Sequence, residues 1–405
     1  MKKKKKREKW LKFRHRVVRN ILSFTLGIYS KHKYGIKVEK FRDQEKRPYL
    51  ILMNHQTAHD QFFVGMAFKG PVYYLASEDI FSMGRISSLI RYLVAPIPIK
   101  KQTTDVKAIM TCIRVAKEGG TIAIAPEGNR TYSGKTEYMS PTIAPLARKL
   151  GMPIALFRIE GGYGVHPRWS DVVRQGKMRA YVSRVISPEE YGNMTDDELF
   201  SVIERELYVN EAVADASFKH KKRAEYLERA LYTCPHCGIA RLESHESKIV
   251  CTSCARTVEY TEKKELIGEN FELPFRFVCD WYEWQKEYVN SLDTCALISK
   301  PISEDTVELL KVIPYKKKET IAKKAKISLY GDRIELSYND TTRTFSFDEA
   351  SAVTVLGKNK LDIYYGDEIY QISPPERFSG LMYVHIFNRY QNIKKGNLNG
   401  TFLGL

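Results

Sequence analysis

The chain has 405 residues, of which 43% are hydrophobic and 12% aromatic; this composition excludes a disordered protein and suffices for two or three domains with their own cores. The formal net charge of +17 indicates an acidic partner, whether membrane lipid, nucleic acid or an acidic carrier protein. Of the seven cysteines, four stand in two Cys-x-x-Cys pairs, which favours metal binding in a reducing compartment over a disulfide framework.

Residues 1–40 form a basic segment that is predicted to bind a membrane surface. It opens with Lys2 to Lys6 and then interleaves cations with apolar residues such as Trp10, Phe13 and Phe24. In an amphipathic helix of this kind the apolar side chains enter the headgroup region, and each cation near anionic lipid contributes about 1 kcal/mol. The alternatives are a solvated basic tail followed by a core helix, or a nucleic-acid contact. No window of the sequence approaches the roughly 20 apolar residues of a membrane span.

Residues 41–210 alternate between strand-like and helix-like segments, which predicts an α/β domain with a mixed sheet flanked by helices. Apolar runs predict buried strands over residues 50–53, 72–76, 121–125 and 153–157. Apolar residues at helical spacing predict helices over residues 105–117 and 141–150. The proline-rich run 95–99 is predicted to be extended and to end in Lys100-Lys101.

The first strand of this domain ends in a polar cluster, Asn54-His55-Gln-Thr-Ala-His59-Asp60. If Asn54 caps a helix that begins there, His55 and Asp60 lie on neighbouring turns, and the carboxylate can hold the imidazole. A bound carboxylate fixes the histidine tautomer and leaves the other ring nitrogen free as a general base. His59 has no carboxylate at the same offset and is interpreted as a neighbour. The alternative interpretation of the cluster is an ordinary capped helix start.

A second polar stretch, Pro126-Glu127-Gly128-Asn129-Arg130, follows the strand predicted at residues 121–125. Glycine lets a ligand approach main-chain N–H groups, and arginine binds phosphate oxygens bidentately, so the stretch is a candidate anion site. By itself it is equally compatible with a plain turn. Open α/β sheets bind ligands at the carboxyl ends of their strands, where this stretch and the His55 cluster can share a cleft.

The order of three blocks resembles the lysophospholipid and glycerol-phosphate acyltransferase family, in particular the 1-acylglycerol-3-phosphate acyltransferases. The blocks are His55-x4-Asp60, the Pro126–Arg130 stretch about seventy residues later, and Gly151-Met-Pro153 at the next strand. The resemblance covers about residues 45–210 and implies that residues 41–210 are an acyltransferase domain.

The resemblance implies a mechanism in which His55, oriented by Asp60, takes the proton from a glycerol hydroxyl. That hydroxyl attacks the thioester of an acyl-carrier-protein or coenzyme A donor, and the transfer needs no metal or organic cofactor. The residues expected to hold the acceptor's phosphate are Glu127, Gly128, Asn129, Arg130, Lys100 and Lys101.

Beyond this domain, residues 211–232 predict a basic linker helix and residues 233–260 a zinc ribbon. Cys234-Pro-His-Cys237 and, after thirteen residues, Cys251-Thr-Ser-Cys254 form two Cys-x-x-Cys knuckles. Four thiolates match the tetrahedral geometry of a structural Zn²⁺, and a small hairpin of this type folds only with its metal. Ribbons also occur in nucleic-acid-binding proteins, but here the few cations alternate with glutamates, which favours a spacer or protein-contact role over nucleic acid.

Residues 261–293 predict an aromatic helical connector, and residues 294–392 a β domain closed by a helix, before a tail at 393–405. Short alternating strands are separated by turn signals from residue 296 onward, and an apolar stripe predicts the closing helix over 375–390. This order resembles a pleckstrin-homology-type domain. Its lysines at 316–318 and 323–324 indicate either lipid or protein docking or a solvated loop between strands.

These patterns together predict an acyltransferase that is cytoplasmic and peripheral on the inner face of the cell membrane. It would move a fatty acyl group from acyl-carrier protein or acyl-coenzyme A to a lysophospholipid, converting lysophosphatidate to phosphatidate in phospholipid synthesis. The alternative is a catalytically silent adaptor that binds membrane or nucleic acid through the same fold.

Overall fold

A computed structural model describes the chain over residues 9–42, 48–99, 105–213, 215–313 and 316–398. Within these residues the chain forms a mixed seven-stranded sheet flanked by helices, a small cysteine-bearing sheet and a C-terminal β domain with a closing helix. The predicted α/β part and the predicted β-rich part are therefore both confirmed. The lysines at positions 2–6, 100 and 101 lie outside the described residues.

The mixed sheet has the strand order β1-β7-β6-β2-β5-β3-β4. Its strands are β1 (Ile36–Val38), β2 (Leu50–Met53), β3 (Val72–Ser77), β4 (Ile97–Ile99), β5 (Thr121–Ile124), β6 (Ile154–Glu160) and β7 (Met178–Ile186). The helices around it are α1 (Phe13–Tyr34), α2 (Asp60–Ala67), α3 (Arg85–Val94), α4 (Val106–Lys117), α5 (Ile143–Leu150), α6 (Gly162–Val165), α7 (Pro188–Gly192) and α8 (Asp196–Leu207).

Strand β2 lies in the middle of this sheet and runs parallel to both neighbours, β5 and β6. Its four residues are all buried: Leu50 and Leu52 enter the core on one face, and Ile51 and Met53 the core on the other. Leu52 is level with Ile124 of β5 and with Leu156 of β6. The loop after β2 and the loop after β5 therefore leave the sheet side by side at one edge.

Helix α1 and strand β1 occupy most of the described segment that the sequence predicts as membrane-binding. Gly35, at φ 61°, ends the helix in a left-handed conformation, which favours glycine because other residues strain there. Strand β1 then pairs with β7, so the sheet begins before residue 41. No helix among the described residues combines the length and apolarity needed to cross a membrane.

The prediction of a linker helix over residues 211–232 was wrong. Residues 211–213 and 215–232, which the structure describes, contain no α-helix. The segment is made of turns with one short 3₁₀ turn, Leu227–Arg229. Tyr226 has φ 71°, which an α-helix cannot contain. The N–H of Leu227 instead donates to the Ser244 hydroxyl at 3.0 Å, and Ala224, Leu227 and Leu231 are buried. Packing against the cysteine-bearing sheet, and not helical periodicity, determines the path of this segment.

The cysteine-bearing region consists of two small antiparallel sheets followed by a helix. Its strands are β8 (Thr233–Cys234), β9 (Gly238–Ile239), β10 (Leu242–His245), β11 (Lys248–Cys251), β12 (Thr257–Tyr260) and β13 (Leu266–Gly268). Strand β13 pairs with β12, so this fold extends past residue 260. The predicted aromatic connector contains one helix, α9 (Val278–Ser291), which buries Trp281 and Tyr282.

The C-terminal β domain has the strand order β17-β16-β15-β14-β20-β19-β18 and antiparallel pairing throughout. The strands are β14 (Ser303–Val312), β15 (Glu319–Leu329), β16 (Arg333–Tyr338), β17 (Thr341–Ser346), β18 (Ala350–Leu356), β19 (Lys360–Tyr365) and β20 (Glu368–Ser373). Helix α10 (Gly380–Lys394) packs against β18. The predicted strands and the closing helix are present, and the pleckstrin-homology-type assignment stays a prediction.

The three parts share buried contacts. One hydrophobic core includes Tyr132 and Trp169 beside the mixed sheet, continues through the turn segment at Leu227 and the cysteine-bearing strands, and ends in the C-terminal β domain. Because Tyr132 lies in the loop after β5, this core connects the C-terminal β domain to the edge of the sheet where the predicted site residues lie.

Candidate active site

The loop between β2 and α2 brings His55 to Asp60, although the helix does not begin where the sequence predicts. Helix α2 starts at Asp60 with His59 at the N-cap position, so Asn54 is not its cap. Asn54 instead exchanges two hydrogen bonds of 2.8 Å with the main chain of Ile159 in β6. This pairing fixes the end of β2, and the five residues that follow form a compact loop over the first turn of α2.

Asp60 is the buried centre of this loop. Its Oδ2 accepts a hydrogen bond from His55 Nδ1 at 2.7 Å and one from the Gln56 N–H at 2.7 Å. Its Oδ1 accepts from the Thr57 N–H at 2.9 Å and from the Thr57 hydroxyl at 2.7 Å. Because a carboxylate oxygen accepts at Nδ1, the proton of His55 is held on that nitrogen. Nε2 then remains as the ring nitrogen that can accept a proton, and the side chain of His55 is 24% exposed.

Glu127 connects this loop to the loop after β5. One carboxylate oxygen accepts the His55 main-chain N–H at 2.8 Å, and the other accepts the Glu137 N–H at 3.3 Å. Burial raises the pKa of Glu127 to about 8, although the two N–H groups partly offset that rise. Both of its oxygens accept main-chain donors here, and the phosphate contact predicted for Glu127 stays a prediction.

Arg130 is the buried cation of the same edge. The guanidinium is only 9% exposed, and its Nη1 has no hydrogen-bond partner among the described residues. Burial, followed by the nearby charge of Arg168, lowers the pKa of Arg130 to about 10. A buried unpaired donor on a cation is costly unless a ligand satisfies it, and guanidinium groups bind phosphate oxygens well. Arg130 therefore has the properties of an anion-binding residue.

Gly128 and Asn129 form the turn that leads to Arg130. The N–H of Gly128 donates to the Ala125 carbonyl at 2.9 Å, and its φ of 70° requires the left-handed conformation. The residue is exposed, with open space where a Cβ would stand, so a ligand can approach its backbone. Asn129 is half-buried. Three of the predicted phosphate residues thus lie together, whereas Lys100 and Lys101 follow edge strand β4 outside the described residues.

Two further polar side chains near Arg130, Tyr34 and His166, were not identified from the sequence, and a third, His59, was interpreted only as a neighbour. The Tyr34 hydroxyl and His59 Nδ1 are hydrogen-bonded at 2.7 Å, and the Tyr34 ring stacks on His166 with 5.9 Å between ring centroids. His166 is buried, and neither of its ring nitrogens has a partner among the described residues. Burial, then the charges of Lys358 and Arg130, lowers the pKa of His166 to about 3. A neutral histidine at this place offers both a donor and an acceptor.

No sequence signal identifies Tyr34 or His166, because neither stands in a block with a recognisable spacing. Tyr34 ends a helix that the sequence assigns to the membrane-binding segment, and His166 follows the short helix α6. His59 was visible but was interpreted only as a neighbour of Asp60.

The four predicted metal ligands, Cys234, Cys237, Cys251 and Cys254, form one cluster. Their sulfur atoms all lie within 4.8 Å of one another. The Cys234–Cys254 and Cys237–Cys251 pairs are 3.8 and 3.9 Å apart. A tetrahedral zinc with bonds of about 2.3 Å holds its sulfurs roughly 3.8 Å apart, so the donor set and its dimensions fit this metal. His236 is exposed and is not part of the cluster.

Comparison with known proteins finds similarity in the first part of the chain. Residues 35–159 match the family model described as Acyltransferase, and this confirms the resemblance seen in the sequence blocks. A curated relative, the chloroplastic 1-acyl-sn-glycerol-3-phosphate acyltransferase BAT2 of Brassica napus, is 22% identical over 191 residues, which are 46% of this chain and 52% of the relative. The chain thus spans about half the length of the curated relative that it matches.

Two solved structures are also similar to parts of the chain. The 1-acyl-sn-glycerophosphate (LPA) acyltransferase PlsC from Thermotoga maritima is 23% identical, with a TM-score of 0.40, over 47% of this chain and 77% of that protein. The Inner Membrane Complex sub-compartment protein 3 from Toxoplasma gondii is 16% identical, with a TM-score of 0.17, over 23% of this chain and 76% of that protein. At these TM-scores neither structure defines the fold of this chain.

The raised pKa of Glu127 predicts a pH-dependent difference in stability between the wild type and Glu127→Gln. The folded-state pKa of about 8 lies above the ordinary value of 4.5, so the folded protein retains a proton that the unfolded chain releases. The stability due to this proton is complete below about pH 4.5 and is lost as the pH rises through about 8. Glutamine cannot ionise. Between pH 5 and pH 8 the unfolding temperature of Glu127→Gln should therefore rise relative to that of the wild type.

Calorimetry at several pH values measures this difference, with the exposed Glu272→Gln as the control. A constant difference across the pH range would show that Glu127 is ionised throughout.

Proposed function

We propose that the acyltransferase-family domain at residues 35–159 transfers a fatty acyl group from an acyl thioester to the free hydroxyl of a lysophospholipid. We further propose that the reaction is the conversion of lysophosphatidate to phosphatidate. The observation that carries the proposal is that one sheet edge holds both an oriented histidine, His55 on Asp60, and a buried arginine with an unpaired nitrogen, Arg130. The Brassica napus relative is named a 1-acyl-sn-glycerol-3-phosphate acyltransferase, and this name supports lysophosphatidate as the acceptor.

In this reaction Nε2 of His55 takes the proton of the acceptor's hydroxyl while the oxygen attacks the thioester carbonyl carbon. Asp60 stabilises the imidazolium that forms, because its carboxylate already accepts the Nδ1–H at 2.7 Å. When the tetrahedral intermediate collapses, the carbon–sulfur bond breaks and the imidazolium returns the proton to the thiolate. The products are the ester and the free thiol of the carrier, acyl-carrier protein or coenzyme A, and His55 is again neutral.

Arg130 supplies the contact to the acceptor's phosphate. Its unpaired Nη1 can donate to a phosphate oxygen, and the exposed backbone at Gly128 and the side chain of Asn129 lie beside it in sequence. The phosphate contacts predicted for Lys100 and Lys101 fall outside the described residues and stay predictions. Glu127 acts indirectly, because its contact with the His55 N–H connects the loop of the base to the loop of the phosphate site.

The exposed apolar faces of α1 and α3 support a peripheral membrane location on the inner face of the cell membrane. Arg14 on α1 joins the two helices: its guanidinium lies 4.0 Å from the ring centroid of Tyr92 and donates to the Tyr92 carbonyl. The exposed large apolar side chains on these helices are Phe13, Val17, Ile21, Phe24, Ile28 and Tyr29 on α1, and Ile86, Leu89 and Tyr92 on α3. An apolar face flanked by cations is the pattern of an interfacial helix.

A structural zinc at the four cysteines is the second component of the proposal. Cys234 and Cys251 are buried in the same core as the C-terminal β domain, so the bound ion would hold β8 and β11 together inside that core. Zinc thiolate sites of this type contribute directly to folding. The metal has no part in the acyl transfer.

The catalytic proposal predicts that His55→Ala lowers the rate of acyl transfer by about a hundredfold or more, the usual effect of losing a general base. Asp60→Asn should lower it in the same direction, because the amide does not stabilise the imidazolium. The assay follows labelled acyl transfer to lysophosphatidate from acyl-carrier protein and, separately, from acyl-coenzyme A. His32→Ala, which removes an exposed histidine on α1, is the matched control. Equal activity of His55→Ala and the wild type would eliminate the mechanism, and no acyl transfer by either protein would favour the silent adaptor.

The membrane proposal predicts that Phe24→Ser weakens binding to anionic vesicles. Phe24 is 71% exposed, and its loss removes apolar surface of the kind that enters the headgroup region. Cosedimentation with vesicles that contain phosphatidylglycerol measures the binding. Ile267→Ser, at an apolar residue that is 52% exposed in the cysteine-bearing sheet, should leave it unchanged. If the two substitutions weaken binding equally, the α1 face is not the contact surface.

The metal proposal predicts about one zinc ion per chain in protein purified without chelators. Cys251→Ser should lower both the zinc content and the unfolding temperature, because the ion holds two strands of a buried core. Cys295→Ser, at an exposed thiol outside the cluster, should change neither. Elemental analysis and calorimetry provide the two readouts, and a chain that folds normally without any bound metal would refute the site.

A further inference from the structure

Arg168 connects the loop of Arg130 to the C-terminal β domain. The guanidinium is 2% exposed. Its Nη1 donates to the main-chain carbonyl of Arg130 at 2.8 Å. Its Nε and Nη2 donate to the carbonyls of Gly357 and Val355 at 2.8 and 2.9 Å. One planar side chain thus fixes the backbone of the phosphate loop relative to the turn between β18 and β19.

A second contact joins the same two segments. The Tyr132 hydroxyl, two residues beyond Arg130, donates to the carbonyl of Lys358 at 2.6 Å. The guanidinium of Arg168 lies over the Tyr132 ring, 4.3 Å from its centroid. The Lys358 ammonium is paired with Asp171, so the turn is also held from its other side. Arg168 and Tyr132 are buried, whereas the side chains of Lys358 and Asp171 are 34% and 37% exposed. The contacts to residues 355–358 depend on the C-terminal β domain being in place.

We propose that the turn between β18 and β19 positions Arg130 through Arg168, so that the C-terminal β domain is part of the acceptor-phosphate site. Arg168 is a positioning residue, because its three hydrogen bonds all go to main-chain carbonyls and the residue is only 2% exposed. The inference rests on the proposed function, since it takes Arg130 to be the residue that binds the acceptor's phosphate.

The physical reason is that Nη1 of Arg130, the nitrogen proposed to bind the phosphate, has no hydrogen-bond partner among the described residues. Its direction is therefore set by its backbone and by packing. A fixed donor binds phosphate better than a mobile one, because the cost of ordering it is already met in the folded protein. Displacing the Arg130 carbonyl by even about 1 Å is enough to weaken a geometry-dependent contact.

The test is equilibrium binding of lysophosphatidate, without donor, to the wild type, Arg168→Lys and Tyr132→Phe. Lysine keeps the charge near Arg130 but cannot make the three-way fork of hydrogen bonds. Arg389→Lys is the matched control: Arg389 is also buried and also donates to two carbonyls, those of Leu292 and Leu398, far along the chain from the phosphate loop. Monoacylglycerol, which keeps the acyl chain and the free hydroxyl of lysophosphatidate but has a hydroxyl in place of the phosphate, is the control ligand.

We expect Arg168→Lys to weaken lysophosphatidate binding about tenfold, and Tyr132→Phe to weaken it less, because it removes one neutral hydrogen bond. Arg389→Lys should bind as the wild type does, and monoacylglycerol binding should not change in any variant. The inference is overturned if Arg168→Lys loses no more affinity than Arg389→Lys, or if monoacylglycerol binding falls equally, which would indicate general damage to the fold.

The binding test separates this inference from the proposed function. A wild type that binds lysophosphatidate but transfers no acyl group refutes the enzyme proposal, and the role of Arg168 is still decided by its own variants. A wild type that transfers acyl groups, with Arg168→Lys unchanged in its KM for lysophosphatidate, refutes only the inference. A wild type without affinity for lysophosphatidate refutes both.

Discussion

The buried carboxylate of Asp60 is the interaction on which the proposed site depends. An isolated ion at this position would be unfavourable by several kcal/mol, because it is removed from water. Here four donors replace that water. They are the main-chain N–H groups of Gln56 and Thr57, the Thr57 hydroxyl and Nδ1 of His55. The loop is therefore folded around the charge, and the orientation of the histidine follows from that folding.

The position of this loop in the molecule depends on the ends of three strands. The Asn54 side chain joins β2 to β6 through Ile159, and the Glu127 carboxylate joins the β2 loop to the β5 loop through the His55 N–H. Arg130 then follows three residues after Glu127 and is held from its other side by Arg168 and the C-terminal β domain. The proposed base is thus connected to the proposed phosphate site by the hydrogen bond between Glu127 and His55 and by the short chain segment from Glu127 to Arg130. The C-terminal β domain is joined to the same edge through Arg168.

The sequence predicted the contact between His55 and Asp60 but gave the wrong reason for it. The pair was placed on a helix starting at Asn54, whereas the loop conformation and the start of α2 at Asp60 produce the contact. Spacing along a chain limits which side chains can meet, but it does not distinguish a helical turn from a closed loop of similar length. The strands β2, β5 and β6 were predictable because each is a short apolar run buried on both faces.

Other features depended on tertiary contacts that leave no local pattern. The segment at Tyr226 has a helix-like composition, but burial against the cysteine-bearing sheet gives it turns instead. His166 and Tyr34 approach Arg130 only because α1 and the segment after β6 pack at the same edge. The contact of Glu127 with the His55 N–H was not visible in the sequence for a similar reason, since the two residues come from different loops.

The proposed function requires that His55 and Arg130 face one bound acceptor. The most direct measurement is a crystal structure of His55→Ala with lysophosphatidate, in which the substitution prevents turnover and leaves the Arg130 loop intact. The phosphate is expected to lie within hydrogen-bond distance of Arg130 Nη1, about 3 Å. The acceptor's free hydroxyl is expected to point to the space left by the imidazole. A phosphate bound elsewhere, with Arg130 Nη1 still unpaired, would contradict the proposed function.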